Sequence, residues 1–115
     1  MSFKQFKQSY IAAAMWSSTD NHGSPLDDLG LEIAEDTLAN IHTDCATFFG
    51  DQASVWIDAG MSDSQAGHDF WLTRNKHGAG FWDRGLGRIG ENLTAAAHAF
   101  GEVALYVGDD HMVQS

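Results

Sequence analysis

The stretch His68-Asp69-Phe70-Trp71-Leu72-Thr73-Arg74-Asn75-Lys76-His77-Gly78-Ala79-Gly80-Phe81-Trp82-Asp83-Arg84 decides how this chain is read. His68 to Arg74 reads as a strand, Asn75 to Gly78 as a turn, and Ala79 to Asp83 as the return strand of a hairpin. In that register Trp71 faces Trp82 and Leu72 faces Phe81. Both faces of the hairpin are then partly apolar. One covers the core, and the other lies under a helix or offers a Trp pair to a partner.

Working outward, the N-terminal side is helical. Ser2-Phe3-Lys4-Gln5 has the S-x-x-Q form of a capping box, and Phe3, Phe6, Tyr10 and Ala13 follow at helical spacing. A first helix is expected over Phe3 to Trp16. Ser17 to Pro25 is a loop by composition. A long helix begins at Glu35, where Leu38, Ile41, Cys45, Phe48, Gln52, Val55 and Ala59 step by three and four. Gly50 sits inside that pattern at a cost of about 1 kcal/mol, so a kink or break is expected there. Asp36, Asn40, Asp44, Asp51 and Asp58 share the opposite side, the acids about two turns or roughly 11 Å apart. In a continuous helix they form an acidic ridge. Gly60 to Gly67 is small and polar, a connection. Beyond the hairpin, Ile89, Leu93, Ala96, Ala97 and Phe100 form another helical stripe with Gly101 as its C-cap. Glu102 to Val107 reads as a third strand, closed by Gly108-Asp109-Asp110. The expected fold is therefore α+β in the order ααββαβ, a small sheet packed on helices in a single domain over 1–115.

The 115 residues fit one modest core, and 43% hydrophobic residues with four Trp and seven Phe exclude global disorder. Cys45 is the lone cysteine, which fits a reducing compartment. The Met-Ser-Phe-Lys-Gln-Phe-Lys start has no apolar signal region, and no apolar run approaches the ~20 residues that span a bilayer. The formal net charge is −10. From Gln8 to Thr73 there is no Lys or Arg, while that stretch carries Asp20, Asp27, Asp28, Glu32, Glu35, Asp36, Asp44, Asp51, Asp58, Asp63 and Asp69. Such a field keeps a chain soluble. It also repels nucleic acid and anionic membrane and draws in basic partners.

No catalytic residue is assigned. Gly85-Leu86-Gly87-Arg88-Ile89-Gly90 has the form G-x-G-x-x-G, with Asp109 and Asp110 about twenty residues on. Its strand is short and hairpin-bound, and few residues follow Asp110. The glycines therefore read as a tight connection, and no cofactor is expected. His42 and Cys45, at i and i+3, are near enough to share an ion but belong to the apolar stripe, and the loop from Asp20 fails the calcium pattern at Pro25 and Leu31. No metal is expected. His68, Asp69, Arg74, Asn75 and His77 gather on the hairpin and have the chemistry for acid–base work on a phosphate, although turn formers and an exposed turn His explain them as well.

The 68–84 stretch resembles the signature of a family of small, largely uncharacterised proteins of bacteriophages and prophages. The likeness continues through Leu93-Thr94, Phe100-Gly101-Glu102 and Leu105 to Asp110, and more loosely to Trp16-Ser17-Ser18-Thr19 and Thr37-Leu38. The resemblance implies Gly at position 76 in many relatives, where this chain has Lys76. It also implies expression in the cytoplasm of a bacterial host and an accessory role against host machinery. The expected function is inhibition of a host or defence protein, as in anti-CRISPR or anti-restriction activity, by covering a basic nucleic-acid-binding surface. Asp36, Asp44, Asp51, Asp58, Trp71 and Trp82 are the expected contacts, with no direct nucleic-acid or membrane binding. Two alternatives stand beside it. One is a small enzyme or ligand-binding protein using the His68, Asp69, Arg74 and His77 cluster. The other is a homo-oligomeric structural or regulatory phage protein.

Overall fold

The structure, a computed structural model, describes residues 2–115. Among these residues it holds four α-helices: α1 (Phe3–Ser17), α2 (Glu35–Asp58), α3 (Asp63–Arg74) and α4 (Arg88–His98). Short 3-10 turns lie at Leu26–Asp28 and Phe81–Asp83. The sheet is a single antiparallel pair, β1 (Tyr106–Val107) with β2 (Val113–Gln114), in which Val107 faces Val113. The α+β order expected from the sequence is thus overturned. Helices dominate, and the hairpin of residues 68–83 does not exist.

The reason lies in α3. Ser62 accepts the amide of Gln65 at 3.1 Å, the same S-x-x-Q cap with which Ser2 accepts the amide of Gln5 to open α1. From Ala66 to Arg74 every residue of α3 except His68 is buried. A helix wrapped on all sides carries no polar face, so its sequence shows no amphipathic period. A short apolar run of that kind is indistinguishable from a buried strand by pattern alone. α1 supplies the main cover, with Phe6, Tyr10, Ala13 and Ala14 buried. Gly67 permits their approach, because a Cβ there would stand 2.0 Å from the carbonyl oxygen of Phe6.

α3 ends as Asn75-Lys76-His77 turns away. The amide of His77 donates to the carbonyl of Leu72 and that of Lys76 to Thr73, both at 3.0 Å, which is a Schellman closure. Lys76 holds the left-handed position at φ 57, where glycine is favoured. Asn75 to His77 thus close a helix instead of turning a hairpin, and the chain then enters the 3-10 turn at Phe81 rather than a return strand. Thr73 Oγ1 accepts the amide of Phe81 at 3.1 Å and fixes that entry.

α2 runs unbroken through Gly50, contrary to the break expected there. The glycine is exposed with open space around it, so it costs helix propensity without changing the path. Only Tyr106–Val107 of the expected third strand pairs, and its partner at Val113–Gln114 was not foreseen. The core is aromatic. Phe48 and Phe70 stack with centroids 4.0 Å apart, and Phe6 stacks on Trp56 at 5.2 Å. The Trp56 indole donates to Asp63 Oδ1 at 2.9 Å, joining the end of α2 to the start of α3.

Candidate functional site

The residues gathered on the expected hairpin are divided by the helix that replaces it. Asp69 and Arg74, five residues apart, point about 140° away from each other around α3. Each organises its own polar cluster.

Arg74 is 4% exposed. Its Nη1 donates to Tyr10 Oη at 3.1 Å and to Asp44 Oδ2 at 2.8 Å. Its Nε and Nη2 donate to the carbonyls of Gly101 (2.9 Å) and Phe100 (3.1 Å), just past the end of α4. Its Cζ also lies 5.6 Å from the ring centroids of both Phe70 and Phe100. One guanidinium thus ties α1, α2 and α4 to α3. Burial raises the pKa of the Tyr10 hydroxyl well above its ordinary value, with Arg74 opposing the shift. Asn75 is spent similarly, donating to the carbonyl of Trp71 at 3.0 Å and accepting the amide of Val103 at 2.9 Å.

Asp69 is fully buried. Arg84 grips it in a fork, Nε to Oδ2 at 2.9 Å and Nη2 to Oδ1 at 2.7 Å. The same Oδ1 accepts Gln65 Nε2 at 2.8 Å and lies 3.3 Å from His68 Nδ1. The hydrogen bond that Arg84 donates to Asp69 raises the pKa of Arg84 further. Sequence reading missed Arg84 and Gln65 as its partners. Gln65, one helical turn before Asp69, was the visible signal.

His68 and His77 are not brought together. His68 opens onto a hollow with Arg84, and exposed His77 lines another with Ser17, Trp71 and Asn75. Arg74 reaches neither.

The acids of α2 do fall on one face. Asp36, Asp51 and Asp58 are exposed, while Asp44 is half-buried and paired with Arg74. The ridge therefore has three free carboxylates. The two tryptophans part company: Trp71 is 3% exposed with its indole donating to Ser17 Oγ at 2.7 Å, whereas Trp82 is 54% exposed. No Trp71–Trp82 surface exists. Trp16 and Tyr106, 61% and 52% exposed, are surface aromatics that the sequence did not mark out.

Among the described residues no cluster of three or more His, Cys, Asp or Glu side chains is placed to hold a metal ion. Cys45 is fully buried, its thiol pushed up to about 12 chiefly by burial. His42 Nδ1 faces the Lys7 ammonium at 3.3 Å. Asp20 closes its own loop by accepting the amides of His22 and Ser24, both at 2.9 Å, and the Ser24 bond leads in lowering its pKa. Gly85 and Gly87 adopt φ 70 and 62 in the connection to α4. No helix among the described residues is long and apolar enough to cross a membrane. The chain matches no family model, no curated protein and no solved structure in comparisons with each.

Proposed function

We propose that this chain is a phage-encoded accessory protein that acts by binding. Its acidic face covers a basic, nucleic-acid-binding surface of a host or defence-system protein in the bacterial cytoplasm, with anti-restriction or anti-CRISPR inhibition as the setting. The observation that carries this reading is the exposed face of α2. Asp36, Asp51 and Asp58 lie along about 33 Å of helix, and no Lys or Arg interrupts the sequence from Gln8 to Thr73.

Helix stability does not account for that face. Asp36 favours the N-terminus of α2, but Asp58 stands at its C-terminus, where the helix dipole opposes a carboxylate and the last turn holds no basic residue. Three charges on this pitch reproduce only the coarse field of a duplex, which carries one charge per ~1.7 Å. Occlusion of a basic surface is therefore favoured over mimicry of DNA. Trp82 is the aromatic contact to test beside the acids, since Trp71 is sealed in the core.

The test is capture from bacterial lysate at about 50 mM and about 500 mM salt, comparing the native chain with the Asp36→Asn, Asp51→Asn, Asp58→Asn variant. A stoichiometric nucleic-acid-binding protein, held at low salt and released by high salt or by the variant, is the expected result. Retention at high salt, or by the variant, excludes an electrostatic mechanism on α2. Recovery of only a second copy of the chain turns the reading to homo-oligomerisation.

A further inference from the structure

We infer that the hollow beside Asp69 is a binding site for the phosphoryl group of a small phosphate ester, held by Arg84 and His68. The hollow has a volume of about 490 Å³ and is lined by Ser9, Ser62, Ser64, Gln65, His68 and Arg84. None of these residues belongs to α2, which carries the acids of the proposed partner surface.

Three features define its chemistry. First, Arg84 is held ready. Asp69 grips it side-on through Nε and Nη2, and Asp69 is fully buried, so the pair has no freedom to swing. Among the described residues Nη1 makes no hydrogen bond, and the side chain is 31% exposed. The outward edge of the guanidinium, two N–H groups on Nη1 and one on Nη2, is therefore open to a ligand. An arginine fixed in this way binds an oxyanion without first losing side-chain entropy.

Second, the orientation of His68 is set by the same carboxylate. Its Nδ1 lies 3.3 Å from Asp69 Oδ1, an acceptor, so Nδ1 carries the hydrogen and Nε2 remains for a ligand. Neutral Nε2 accepts from the P–OH of a phosphoryl monoanion, and protonated Nε2 donates to a dianion. Third, the remaining lining consists of hydroxyls and an amide, with no carboxylate on the wall. A tetrahedral phosphoryl group uses donors arriving from several directions, whereas a planar carboxylate is satisfied by the fork alone. The hollow is larger than inorganic phosphate and leaves room for the carbon part of an ester.

Asp69 balances the charge of Arg84, and the chain as a whole is acidic. Directed donors rather than a positive field hold the ligand.

The test is a 1H–15N NMR titration of the full chain with inorganic phosphate at constant ionic strength, with chloride as control. Saturable shifts confined to Gln65, His68, Arg84 and their neighbours are expected. His68→Gln, a change at a partly exposed side chain, weakens binding about fivefold. Arg84→Lys keeps a charge opposite Asp69 but removes the fork, and weakens it about tenfold. Glycerol phosphate binds more tightly than inorganic phosphate, and equal affinity overturns the claim that the ligand is an ester. Shifts that never saturate, or that centre on Lys4, Lys7 or Arg88, overturn the site. Should Arg84→Lys fail to fold, unchanged affinity in His68→Gln overturns it alone.

Discussion

α2 and α3 are neighbouring helices in one chain, and they solve the problem of burial in opposite ways. α2 gives one stripe to the core, including Ile41, Cys45, Phe48 and Trp56, and leaves Asp36, Asp51 and Asp58 in water. α3 gives nearly its whole surface to the interior, including a carboxylate and a guanidinium. The contrast shows where a sequence can be read. Amphipathic α2 announces its own phase, and its acid face follows from spacing alone. α3 announces none, because no solvent-facing side interrupts its apolar run.

The same contrast separates tolerance from constraint, and substitutions can break it. Gly67→Ala in α3 is expected to have the largest effect. Its methyl group collides with backbone, the Phe6 carbonyl, rather than with a side chain able to move. A loss of about 3 kcal/mol or failure to fold is expected, read by urea unfolding. A loss below the noise of that measurement would show that α1 and α3 slide apart at little cost. Asp69→Ala comes next, at about 2 kcal/mol. Arg84 regains water through its exposed edge, which keeps the loss under that of a fully buried pair. If the loss matches that of an ordinary exposed aspartate, the Asp69 cluster is not organising α3. Gly50→Ala in α2 carries the opposite sign. The site is exposed and helical with open space around it, so alanine is expected to stabilise the protein by about 1 kcal/mol, seen as a raised urea midpoint. A destabilising result would reveal a use for Gly50 that its open surroundings do not show.

Much of the fold was nevertheless written in residues that local rules reach. Ser2-Phe3-Lys4-Gln5 and Ser62-Asp63-Ser64-Gln65 carry the same start signal. The first was followed by an amphipathic pattern and read as a helix. The second was followed by Ala-Gly-His and an aromatic run, whose β propensity obscured it. The site shows the same split. Asp36, Asp51 and Asp58 are legible because the helix periodicity places them. The loss of Asp44 to Arg74 is not legible, since it depends on two residues thirty positions apart meeting at 2.8 Å. Nor is the parting of Trp71 from Trp82, which follows from replacing a cross-strand register by a helix and a 3-10 turn. Long-range polar pairs have no period, and only the assembled packing reveals them.

The all-round enclosure of α3 also fixes the order in time of this protein's motions. The amide hydrogens of its buried stretch, from Ala66 to Arg74, are covered by α1 and are expected to exchange only when the entire molecule opens. Amides along the outer side of α2 are released by small, frequent openings instead. The helix hardest to recognise from its sequence is thus the slowest clock in the molecule. Its exchange rate reports the stability of the whole chain from a single segment.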